Sequence, residues 1–94
     1  LELYRRLSRA SEIQEVYAIE EEMEDRFGKP DVPTKQFIEL IIIKILALNL
    51  GIQNISSYEM AITFTKANDT KETIKAPSKD DDDIIATTLR YLRK

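Results

Sequence analysis

The hydrophobic period of this chain changes from helical to two at Gly51. Up to Leu50 the apolar residues recur at helical spacing, and from Tyr58 to Thr65 they alternate residue by residue. A run with helical period cannot lie comfortably in a strand, nor the reverse, so the switch predicts an α+β fold. The expected order is three N-terminal helices, the third long, central and apolar, then a small antiparallel β-hairpin or sheet, then a C-terminal helix.

The punctuation agrees with that order. Leu3, Tyr4, Leu7 and Ala10 form the stripe of a first short helix, with Glu2, Arg5, Arg6 and Arg9 opposite. Ser11 is placed to cap a second helix, with Gln14 three residues on at the capping-box position. Its stripe runs through Ile13, Val16, Tyr17, Ile19, Met23 and Phe27. Gly28 suits the positive-φ position beyond the helix, and Pro30 blocks continuation. A third helix is expected from Pro33 or Thr34 to Leu50, roughly 25 Å long. Ile41, Ile42, Ile43, Ile45, Leu46 and Leu48 make it apolar nearly all round, which predicts neighbours on several sides.

Beyond Gly51, Tyr58, Met60, Ile62 and Phe64 alternate with Glu59, Ala61, Thr63 and Thr65, the pattern of one half-buried strand. Ile52 to Ile55 can form a short strand before it, and Glu72 to Ala76 can pair back after a turn at Ala67 to Asp69. Ser78 is the expected cap of a last helix. Its first turn carries Asp80 to Asp83 and its last turn Arg90, Arg93 and Lys94, an order that suits the helix dipole. The 94 residues are read as a single domain. Because the chain starts within a helical pattern and without methionine, it reads as a piece excised from a longer protein. The apolar run from Phe37 to Leu50 is broken by Glu39, Lys44 and Asn49, too short and too charged for a bilayer span.

Composition narrows the chemistry. The chain has no histidine and no cysteine, which removes the commonest general base and the usual zinc ligands. Its two glycines both fall at helix ends, leaving none for a phosphate-cradling loop. No catalytic, cofactor-binding or metal site is therefore expected, and the fragment is not expected to be an enzyme. Asp80 to Asp83 could hold a hard cation. The preferred reading is a solvated first turn, since neighbouring helical residues point in different directions. Glu20 sits near the middle of an apolar stripe and is expected to pair with an arginine of the first helix. With a net charge of −3 the domain has the wrong sign for coating nucleic acid. Lys66, Lys71, Lys75 and Lys79 read as guards of an exposed strand edge, and a cytoplasmic setting fits the lack of cysteine.

Three short elements carry a family likeness: Leu3-Tyr4-Arg5-Arg6-Leu7, Asp25-Arg26-Phe27-Gly28 and Leu50-Gly51-Ile52. In these, and in the interval between the second and third, the chain resembles the C-terminal domain of the bacterial transcription-repair coupling factor, over residues 1 to 52. The resemblance implies a parent protein that is an ATP-driven translocase on double-stranded DNA. That parent displaces stalled RNA polymerase and recruits the excision-repair protein UvrA. ATP and magnesium would belong to its motor domains, whose motifs are absent here. The resemblance further implies a regulatory role, in which this domain folds back on an N-terminal, UvrB-like region and masks the UvrA-binding surface.

A contact that must reopen should be polar and modest in area. That reasoning selects the acidic side of the second helix, Glu15, Glu21, Glu22 and Asp25, as protein-contact candidates. Two other classes compete with this reading. One is a stand-alone oligomerisation module seamed by the third helix. The other is a nucleic-acid-binding module built on Arg5, Arg6 and Arg9.

Overall fold

The computed structural model describes residues 2–94. Its elements are α1 (Glu2–Arg9), α2 (Ile13–Phe27), α3 (Val32–Asn49), β1 (Ile52–Tyr58), β2 (Ala61–Lys66), β3 (Lys71–Lys75) and α4 (Asp81–Leu92). The α+β order read from the hydrophobic period is the order observed. The chain divides into two compact units, one ending at Ile45 and the other running from Leu46 to Lys94.

In the first unit α1 packs against α2. Leu3 and Leu7, one turn apart, are buried on α1, and Val16, Ile19 and Met23 are buried on α2. Covering a leucine as fully as Leu7 is worth about 1.5–3 kcal/mol. An ion pair joins the same helices, Arg6 to Glu22 at 2.6 Å. The sequence pointed to Glu20 as the arginine's partner, but Glu22 lies on the flank of α2 that Arg6 reaches.

Both helix starts in this unit differ by a residue or two from the expected ones. Glu12, not Ser11, is the N-cap of α2, in extended backbone geometry. Glu15, not Gln14, is the capping-box residue. Its Oε1 accepts from the backbone N–H of Glu12 at 3.2 Å, and from the N–H and hydroxyl of Ser11 at 3.3 Å each. An ionised carboxylate is the stronger acceptor for donors at a positive helix end, and that favours Glu15 over a neutral amide. At α3 the cap is Asp31. Its Oδ1 accepts from Thr34 N–H at 3.0 Å while its carbonyl accepts from Lys35 N–H. Val32 and Pro33 then occupy the first turn, where proline's missing N–H costs nothing.

The third helix is not enclosed on all sides. Ile38, Ile42, Ile45 and Ala47 are buried, whereas Leu40, Lys44 and Leu48 form an exposed line at i, i+4 and i+8. Richness in isoleucine had concealed a two-sided helix.

The second unit contains an antiparallel sheet of order β1-β2-β3, with β1 and β3 at its two edges. The single strand expected across Tyr58 to Thr65 is in fact two strands and a turn. Tyr58 pairs with Ala61, so Glu59 and Met60 form a two-residue hairpin loop. Glu59 takes φ +55 there. Such loops need positive φ at a central residue and usually announce it with glycine or asparagine, and without that signal the alternation ran straight through. Tyr58 is 79% exposed and Met60 43% exposed, which removes both from the core stripe. The second turn fell where expected. Asp69 adopts φ +67, its N–H bonds to the Lys66 carbonyl, and Asn68 Oδ1 accepts from Thr70 N–H.

Ile62 and Phe64 of β2 are fully buried. Phe64 stacks on Tyr91 of α4 with ring centroids 4.1 Å apart and planes at 15°. The Tyr91 hydroxyl donates to Glu72 of β3, and this bond, with some desolvation, raises the phenol above its ordinary pKa. The N-cap of α4 is Asp80, not Ser78. Ser78 stands two residues earlier, accepting from Asp80 N–H at 3.1 Å and donating to Asp83 at 2.6 Å.

Candidate functional site

The four carboxylates picked from the sequence do not act as one group. Glu15 is spent on capping α2, and Glu22 is held by Arg6. At 100° per residue, both lie on the flank of the helix next to its buried stripe. Glu21 and Asp25, one turn apart, project directly opposite that stripe. Both are exposed, and neither side chain has a bonding partner among the described residues. The acidic surface open to a partner is therefore Glu21 and Asp25, half of the expected set.

Other polar groups are also committed. Arg6 is no longer available as part of a cluster with Arg5 and Arg9. The serines at 8, 11 and 78 bond to the Arg5 carbonyl, to Glu15 and to Asp83. Within the aspartate run Asp83 accepts from Ser78, while Asp80 is the N-cap by its backbone geometry and makes no side-chain capping bond. Among the described residues, no three metal-ligating side chains converge.

A second feature was not found from the sequence. Where α1 begins, α2 ends and α3 is capped, there is a cleft of about 440 Å³. Glu2, Leu3 and Tyr4 line it from α1, and Met23, Arg26 and Phe27 from the last turns of α2. The loop from Gly28 to Pro30, with Asp31 and Thr34, completes it. Tyr4 is fixed by a 3.0 Å hydrogen bond between its hydroxyl and Thr34 Oγ1, and by an edge-on contact with Phe37 at 5.7 Å. Hydrogen bonds from Thr34 hold the Asp31 carboxyl below its ordinary pKa, so it stays ionised. Gly28 turns the chain at φ +80, ψ −165, a region almost closed to other residues, and its N–H closes α2 onto the Glu24 carbonyl.

Phe27 is the unexpected member. Its phase on α2 matches the buried residues, yet it is 74% exposed. It occupies the last position of the helix, where periodicity continues but cover does not. That end effect, a stripe residue directly before the stop glycine, is the signal that could have found it.

Among the described residues the fold is a small α+β arrangement of four helices and a three-stranded antiparallel sheet. Comparison with known proteins identifies the family: this chain belongs to the TRCF domain family, whose model matches residues 1–76. It is similar to the transcription-repair-coupling factors of two Helicobacter pylori strains. For strain J99 the identity is 51% over 92 residues, covering 98% of this chain. For strain 26695 it is 52% over 93 residues, covering 99%. The chain spans about 9% of the length of either relative. The likeness read from residues 1 to 52 thus extends through the sheet and α4. No helix among the described residues is long and apolar enough to cross a membrane.

Proposed function

We propose that this domain regulates a transcription-coupled repair translocase by folding back on the parent protein's N-terminal, UvrB-like region and masking the surface that receives UvrA. Family membership supports a place within such a parent. The observation that carries the reading further is the pair Glu21 and Asp25, exposed on α2, away from the core and unpartnered among the described residues. Two free carboxylates one turn apart suit a polar contact that can open and close. Tethering supplies an effective concentration of about millimolar, so even a weak contact stays mostly closed. Opening then needs a bias of only a few kcal/mol. In this reading the domain turns nothing over itself. ATP and magnesium work in the motor domains, and double-stranded DNA, RNA polymerase and UvrA are partners of the whole cytoplasmic protein.

The test uses the full-length parent. Deleting this domain is expected to tighten UvrA binding by about ten- to a hundredfold, matching a closed state favoured by roughly 1.4–2.8 kcal/mol. Replacing both Glu21 and Asp25 by lysine should do most of the same. UvrA affinity unchanged by the deletion would remove the masking role.

A further inference from the structure

Phe27 raises a question that the fold does not answer. Two of the three elements by which the sequence resembles its family converge on one cleft, through Leu3 and Tyr4 from one and Arg26, Phe27 and Gly28 from the other. Leu3 is there because it is buried against α2, and Gly28 because only glycine accepts its backbone angles. Phe27, at 74% exposure, contributes little to the core, and helix termination uses the backbone of Gly28 rather than this ring. A large aromatic left open at the mouth of a cleft is the usual anchor point of a recognition site.

The charges around it define what would fit. Arg26 and Lys29, on either side of Phe27 and Gly28, line the cleft, and neither side chain has a partner among the described residues. The Asp31 carboxylate is turned to its own helix, bonded to Thr34 N–H, which leaves Glu2 as the remaining open carboxylate. Two open cations beside an apolar floor complement an apolar side chain flanked by carboxylates. The same cations could meet phosphate. However, the carboxylates of Glu2 and Asp31 and the domain's net charge of −3 disfavour a polyanion, which gains most of its affinity from many cations acting together.

We infer that the cleft between the ends of α1 and α2 and the cap of α3 is a docking site for an acidic protein segment with an apolar anchor residue. The anchor packs on Phe27 and Leu3, and the carboxylates of the segment meet Arg26 and Lys29. This surface is separate from Glu21 and Asp25 and has the opposite charge preference, so it selects a different partner segment from the one proposed above.

The test is chemical-shift mapping on the ¹⁵N-labelled 94-residue chain. Three blocked peptides are titrated: a Leu-Phe pair between runs of glutamate, the same pair between runs of lysine, and glutamate with serine in place of the pair. Only the first is expected to saturate, with shifts confined to residues 2–4, 23–31 and 34. Phe27→Ala should weaken it about tenfold and Phe27→Tyr much less. Because that ring is mostly exposed, circular dichroism should match the parent chain. The double variant Arg26→Glu, Lys29→Glu should switch preference to the lysine-flanked peptide. Equal binding of all three peptides overturns the inference, as does the absence of shifts at millimolar peptide or a shift map centred on Glu21 and Asp25. Preferential binding of a short single-stranded DNA at the cleft also overturns it.

Discussion

Gly28 offers the sharpest check on how this unit is built, because space and backbone strain separate cleanly there. A Cβ added at Gly28 would meet no atom within 4 Å, so a side chain there causes no clash. Any cost of Gly28→Ala must then come from φ +80, ψ −165, where an L-residue pays about 1–3 kcal/mol. The mirror image of that conformation, near φ −80 and ψ +165, is ordinary extended backbone. D-alanine at position 28 should therefore fit without strain. It should stabilise by about 0.4–1 kcal/mol by restricting the unfolded chain. With a urea m-value of about 1 kcal/mol/M for a domain this small, L-alanine should lower the midpoint by about 1–3 M. D-alanine, introduced by chemical ligation, should raise it. Equal midpoints for the two enantiomers would refute the assignment of Gly28's role to its backbone.

Other outcomes follow from particular contacts. Thr87 buries a hydroxyl with no partner among the described residues, while the Thr88 hydroxyl bonds to the Ile84 carbonyl at 2.7 Å. Thr87→Val should therefore raise stability by about 1 kcal/mol and Thr88→Val should lower it, and thermal unfolding that ranks them the other way would contradict this. The Asp31 carboxyl is held below its ordinary value of 3.8, so its capping contribution is complete above that pH and is lost as pH falls through the lower folded value. Asp31→Asn keeps a capping oxygen and should flatten the acid limb of a stability profile below about pH 4, with little change at pH 7. Arg6 and Glu22 are both partly exposed, so Arg6→Ala should cost only about 0.2–1 kcal/mol, and less in high salt.

Much of this architecture could be read from residue order, and the misses share physical causes. Gly28 and Gly51 marked both helix ends correctly, because positive φ is a local demand with a local solution. The starts were harder: Ser11 and Ser78 are good caps in isolation, but the caps are Glu12 and Asp80, with Glu15 bonding back to the N–H groups of Ser11 and Glu12 and Ser78 bonding the Asp80 N–H from two residues upstream. Glu59 hid a hairpin because a residue that rarely takes positive φ was made to take it. At the candidate sites, helical phase correctly put Glu21 and Asp25 outside. It could not reveal that Glu15 and Glu22 would be engaged by Ser11 and Arg6, since those bonds depend on where α1 ends. Phase also placed Phe27 inside, because a period says which way a residue points and nothing about whether anything is there to meet it.

The two borders of the sheet are chemically unlike. Along β3 the backbone is flanked by Lys71, Glu72 and Lys75, whereas β1 carries no charge from Ile52 to Tyr58, and its one irregularity lies at the start, between Ile52 and Asn54. A strand with free N–H and C=O groups and no charge to repel a neighbour is a template for intermolecular pairing. When the domain is heated or concentrated, self-assembly should begin from β1, and a single lysine at exposed Ser56 should be enough to delay the rise in light scattering.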